Sequence, residues 1–186
     1  MASNEYHFIT HWRVKAAIQE VVDIIGDAES LPRWWPSVYL EVRELEKGDE
    51  RGIGKRVSLY TKGWLPYTLR WQFVVTESNS PHGFTLVAEG DFIGTGKWTF
   101  VQNGADVNIT YNWRISAEKP LLKYLSFLMK PLFGMNHQWA MRNGEKSLEL
   151  ELQRRSLNRS GFEIAAPPPA TPSEPLRWLA FVLTNR

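Results

Sequence analysis

The order of hydrophobic periods constrains this 186-residue chain more than any other feature. One alternating segment opens it: Tyr6, Phe8, Trp12 and Val14 share one phase, and His7, His11, Arg13 and Lys15 the other. That is the pattern of a half-buried strand. Ile18, Val21, Val22 and Ile25 then fall at helical spacing until Gly26-Asp27 stops them. A second helical turn, Ser30 to Trp35, ends at Pro36. Six further strand segments follow without interruption. Val38, Leu40 and Val42 alternate with Tyr39, Glu41 and Arg43, and Val57-Ser58-Leu59-Tyr60 comes next. Tyr67, Leu69, Trp71, Phe73 and Val75 share a phase, as do Phe84, Leu86 and Ala88. Segments 94–102 and 107–116 complete the set. Gly48-Asp49, Pro81-His82-Gly83 and Asn103-Gly104 supply turn signals between them. Short connections and clean alternation predict an antiparallel meander with one solvated face.

After Pro120 the period becomes helical. Leu121, Leu122, Leu125, Leu128, Leu132 and Phe133 form a first segment, which Pro131 is expected to interrupt. A longer helix is predicted from about Met135 to Arg155, with His137, Met141, Gly144, Leu148 and Leu152 on one face. Gly144 costs that helix about 1 kcal/mol relative to Ala, and close approach to the sheet is the expected gain. The fold class is therefore α+β: a curved seven-stranded antiparallel sheet wrapped around a long C-terminal helix, with two short helices after the first strand. One helix cannot fill the concave side of seven strands, so a cavity is expected beneath it.

Composition narrows the function. A net charge of +2 with no basic run argues against nucleic-acid binding. The absence of cysteine removes disulfides, thiolate nucleophiles and Cys-based zinc sites. No P-loop, Gly-x-Ser-x-Gly elbow or paired-His zinc helix occurs, so no metal or cofactor is expected. His7 and His11 stand about 13 Å apart on a strand, too far to chelate one ion. Residues 1–12 carry no apolar signal segment and no run is long enough to span a bilayer, so a cytoplasmic location is expected.

The nine Trp among 13% aromatic residues suit a broad aromatic wall. Strand phase sends Trp12, Leu59, Leu69, Trp71, Phe73, Leu86, Trp98, Phe100, Tyr111 and Trp113 inward, and His137 and Met141 point down onto them from the helix. These twelve are the candidate ligand-binding residues for an apolar small molecule. His137 is expected to be the sole ionisable group at the cavity, as an anchor or a general acid/base with Tyr111 as partner; no other catalytic residue is assigned. Arg13, Lys15, Arg43, Arg70, Glu89 and Arg114 fall in the solvated phase, and Asp91 reads as a turn residue.

Several local patterns occur in a characteristic order. They are the opening strand and helix with Val21, Val22 and Asp27; Trp34-Trp35-Pro36-Ser37-Val38; Gly52-Ile53-Gly54; Gly90-Asp91-Phe92-Ile93-Gly94-Thr95-Gly96-Lys97-Trp98; Thr110-Tyr111-Asn112-Trp113; and His137, Met141, Gly144 and Leu148. Over residues 5 to 153 the set resembles the START-like (helix-grip, SRPBCC) superfamily, in particular its polyketide cyclase/dehydrase-like branch. The resemblance implies the helix-grip fold and a hydrophobic pocket. It does not choose among carriers, receptors, cyclases and co-chaperones. The scarcity of inward acids and bases favours a binding or carrier protein for a lipid-like or aromatic molecule. The alternative is a cyclase/dehydratase-type enzyme using His137.

Residues 1–155 are read as the ligand-binding domain, 156–175 as a Pro-rich linker and 176–186 as an apolar tip. The tip carries Trp178, Leu179, Phe181, Val182 and Leu183, and docking on protein, including self-association, is expected of it. Lys119, Lys123 and Lys130 flank Leu121, Leu125 and Leu128 in the pattern of a peripheral membrane contact, although a lid over the pocket mouth is the preferred reading.

Overall fold

A computed structural model describes residues 5–117, 120–159 and 166–170, with the backbone alone at 117, 120–129 and 159. The apolar tip and the side chains of the 120–129 segment lie outside the described residues. The elements are β1 (Glu5–Lys15), α1 (Ile18–Gly26), a single turn at Ala28–Ser30, α2 (Leu31–Trp34), β2 (Tyr39–Glu46), β3 (Arg56–Lys62), β4 (Thr68–Ser78), β5 (Gly83–Gly90), β6 (Phe92–Asn103), β7 (Asp106–Ala117) and α3 (Pro120–Arg159). The strands form one antiparallel sheet in the order β1-β7-β6-β5-β4-β3-β2. This is the expected helix-grip α+β fold, a curved seven-stranded sheet holding a long C-terminal helix.

Turn chemistry positions the strands. Asn103 pairs with Asp106 across a two-residue hairpin, with Gly104 at φ +61 supplying the left-handed backbone that such turns need. Between β2 and β3, Asp49 Oδ1 accepts the N–H groups of Arg51 (2.9 Å) and Ile53 (2.8 Å). The charges assigned to the solvated phase, Arg13, Lys15, Arg43, Arg70, Glu89 and Arg114, are all exposed. Asp91 accepts the N–H of Arg70 at 2.8 Å and returns its own N–H to the Arg70 carbonyl, a turn role as expected. His7 and His11 bond outward to Asn112 and Thr110.

Three expectations are corrected. First, a bulge between Tyr39 and Glu41 slips β2 by one residue against β3. Leu40, placed inward by alternation, is 39% exposed, and Tyr39 turns inward onto Trp35 with ring centroids 5.1 Å apart. An extra residue in one strand reverses the phase beyond it. Second, α3 is continuous through Pro131 and ends at Arg159 rather than Arg155. An interior proline costs about 3 kcal/mol of helix propensity. Here tertiary packing opposes that cost, since Phe133 sits against the rings of Tyr6 (6.1 Å) and Tyr67 (6.0 Å). Third, Gly144 makes its close approach to Trp35, not to the sheet: a Cβ there would lie 2.3 Å from the indole.

α3 is fastened along its length. Glu145 Oε1 accepts the Arg13 N–H on the β1 edge at 3.0 Å. Buried Glu151 accepts from Arg33 of α2 and from Arg154 and Arg155 of its own helix, at 2.7–2.9 Å. Burial alone would raise the Glu151 carboxyl, but the three guanidiniums outweigh it and hold the group well below the usual carboxylate range. α1 covers the far end of the sheet, where Val14, Val21, Phe100, Val107 and Ile109 are at most 1% exposed.

Candidate functional site

A cavity of about 160 Å³ lies between the N-terminal half of α3 and the concave face of the sheet. Its floor is set by glycine: a Cβ on Gly96 would stand 2.8 Å from both the Trp113 ring and the Tyr111 hydroxyl. Only a residue without a side chain on β6 lets the two β7 aromatics lie down beside it. Trp71 completes the floor, 5.9 Å from Trp113, with its indole N–H donated to Thr61 Oγ1 at 3.1 Å.

The roof is α3, which contributes His137, Ala140 and Met141. The His137 ring stacks on Phe8 at 4.1 Å with planes 16° apart. Burial pushes its pKa down to about 4, so the ring is neutral at pH 7. Its Nε2 is buried without a hydrogen-bond partner among the described residues, as are Tyr6 Oη and Trp35 Nε1 on the same lining. Burial raises Tyr111 well above its ordinary pKa, so it keeps its proton. One side wall is the β3–β4 loop. Asn136 Oδ1 accepts the N–H groups of Trp64 (2.9 Å) and Leu65 (3.2 Å), tying that loop to α3.

The twelve sequence-predicted residues divide into three groups. Leu69, Trp71, Tyr111, Trp113, His137 and Met141 line the cavity together. Phe73 and Phe100 line a separate cleft at the other end of the sheet. Trp12, Leu59, Leu86 and Trp98 line neither; they are buried core residues, with Trp98 stacked on the back of Tyr111 at 4.1 Å. Several lining residues were missed. Tyr6, Phe8 and Tyr67 were in inward phases, but phase does not say which end of a strand the helix covers. Tyr39 was hidden by the bulge, and Phe133 lay beyond the expected break at Pro131. Lys62 also lines the cavity, so His137 is not its sole ionisable group beside the tyrosines. No Asp or Glu lines it among the described residues.

Among the described residues, no three His, Asp or Glu side chains converge as a metal site, and no helix is long and apolar enough to cross a membrane.

Sheet, helix and chamber together define a helix-grip protein with an apolar cavity under its last helix. The chain belongs to the family described as polyketide cyclase / dehydrase and lipid transport, whose model matches residues 8–149. Solved structures of the same fold include the Zhui aromatase/cyclase from Streptomyces sp. R1128 (14% identity, 86% of this chain and 99% of that one, TM-score 0.64). A protein from Thermus thermophilus aligns at 17% identity over 81% of this chain and 99% of its own, TM-score 0.62. A START superfamily protein from Mycobacterium smegmatis aligns at 16% over 71% and 97%, TM-score 0.54. At these identities the likeness is one of fold. No curated protein matches the chain in sequence.

Proposed function

We propose that the protein binds a small, mostly apolar molecule bearing one or two oxygens in the cavity beneath α3, and acts as a carrier or binding protein. The observation that carries this reading is the cavity's equipment: aromatic walls, no carboxylate among the described residues, and one histidine kept neutral. A histidine with a pKa of about 4 is a weak general base at neutral pH, yet its neutral ring still donates or accepts one hydrogen bond. Buried polar atoms without partners cost about 1–3 kcal/mol each. His137 Nε2 and Tyr6 Oη are sealed from the cavity space, so a ligand hydroxyl or carbonyl relieves that cost only where the His137 or Tyr6 ring turns toward it. The volume suits a single ring, since a cavity of roughly 150 Å³ accommodates benzene.

Titration with p-cresol and with toluene tests this reading, followed by quenching of Trp71 and Trp113 emission. Saturable 1:1 binding is expected, with the phenol favoured about 2- to 12-fold, the value of one net hydrogen bond. Absence of saturable binding by either compound sinks the proposal. Native mass spectrometry of protein from its own host then gives the class of any retained molecule.

A second reading rests on His137 and Tyr6, each with an unpartnered buried polar atom among the described residues, lining the same cavity: a cyclase/dehydratase in which His137 moves a proton. His137→Gln separates the two. An enzyme loses turnover with affinity nearly kept, whereas a binding protein loses affinity for the phenol and not for toluene.

A further inference from the structure

A second concavity, a half-open cleft of about 140 Å³, lies at the opposite end of the sheet beneath the C-terminal turn of α1. Its walls are Phe73, Phe84 and Phe100 from three adjacent strands, with Val22 and Ile25 from α1. The room is open: a Cβ added at Gly26 would meet nothing within 4 Å. Trp98 separates this cleft from the cavity under α3. Its ring stacks on Tyr111 on one side and lies 6.4 Å from Phe84 and 6.3 Å from Phe100 on the other.

Two cations line the apolar walls, and they differ in state. Lys55 is spent, with Nζ 2.7 Å from Glu44 and 3.2 Å from the Gly26 carbonyl. Arg51 has no ion-pair partner among the described residues; its own N–H and that of Ile53 both bond to Oδ1 of the nearby Asp49. Arg51, exposed and without an ion pair among the described residues, therefore lines a three-phenylalanine cleft. A guanidinium fork matches a carboxylate in two parallel hydrogen bonds, and aromatic walls match a ring or a branched hydrocarbon.

We propose that this cleft is a second ligand site, independent of the cavity under α3, for a one-ring aromatic or short branched carboxylate. The ring enters between Phe73, Phe84 and Phe100, and the carboxylate pairs with Arg51.

Benzoate, compared with benzyl alcohol, is the test, followed by amide chemical-shift mapping on the full chain. Saturable benzoate binding is expected, with shifts at Arg51, Phe84 and Phe100 and none at Tyr111 or His137. Arg51→Gln should weaken benzoate at least tenfold and benzyl alcohol less than twofold. Gly26→Leu should abolish the shifts at Arg51, Phe84 and Phe100 with both compounds, while Met141→Trp, placed in the other cavity, should leave those shifts in place. Arg51 is on the surface, so its variant remains informative if Gly26→Leu fails to fold. Benzoate binding that is non-saturable, unchanged in Arg51→Gln, or mapped to the α3 cavity overturns the proposal.

Discussion

The two ends of one concave face have been put to different uses. Beside the cleft under α1, strand residues and helix residues interdigitate: Val14, Val21, Ile24, Val107 and Ile109 are all but sealed. Under the N-terminal half of α3, the same strands carry equally large residues, Trp71, Tyr111 and Trp113, yet a cavity of about 160 Å³ remains. The difference comes from what faces the sheet. α1 contributes Val21 and Ile24, both fully buried, whereas over the cavity α3 places Ala140 and a histidine whose ring is stacked on Phe8. Apolar residues in phase thus guarantee burial but not filling. Packing density is decided by the partner element, and a void persists where its side chains are short or already engaged.

The largest test of this contrast is a pair of truncations. Ile109→Ala in the sealed region should destabilise by about 2–5 kcal/mol in urea unfolding, because it opens a new hole where packing is close. Leu69→Ala, beside an existing void, should cost about 1–2 kcal/mol, since fewer contacts are lost. Equal losses would mean that the cavity half is as tightly packed as the other.

Protonation probes the same half. His137 has a folded pKa of about 4 against an ordinary 6.5, so between those values the unfolded chain takes up a proton that the folded chain refuses. Its contribution is present above pH 6.5 and is lost as pH falls toward about 4, roughly 3 kcal/mol in all. In His137→Leu this part of the pH dependence should vanish. A wild-type and variant difference that stays flat from pH 7 to 4 would show the ring to be hydrated.

Gly144→Ala comes next. Better helix propensity should favour it by about 1 kcal/mol. The added Cβ meets the Trp35 ring at 2.3 Å, so the net result is expected to be a loss of roughly 1–2 kcal/mol with altered ligand affinity, because Trp35 is part of the cavity wall. A stabilised variant with unchanged affinity breaks the link between this contact and the cavity.

The smallest effect is expected for Asn136→Ala. Releasing the N–H groups of Trp64 and Leu65 should cost about 1 kcal/mol or less of stability, as these loop groups can bond to water. Ligand dissociation should accelerate several-fold with little change in association rate, read by stopped-flow fluorescence. Unchanged dissociation would show that the loop is not the route out.

What the chain's periods determined alone was the architecture and the inward faces. Strand alternation is a local steric consequence of the pleat, so Trp12, Trp71, Trp98 and Trp113 could be placed on one side without knowing their neighbours. The long amphipathic helix and its His137–Met141 face followed from spacing in the same way. Tertiary structure decided everything that depends on position along the strand axis or on a partner. Trp71 lines the cavity and Trp98 the wall behind it because α3 covers one end of the sheet and α1 the other. Tyr39 faces inward because a bulge against β3 resets its phase, and pairing irregularities are properties of two strands, not one. Phe133 joins the lining because packing against Tyr6 and Tyr67 holds α3 helical through Pro131. Side-chain direction is written into single elements; the space left between elements is not, since it depends on which surfaces meet and how completely they fill one another.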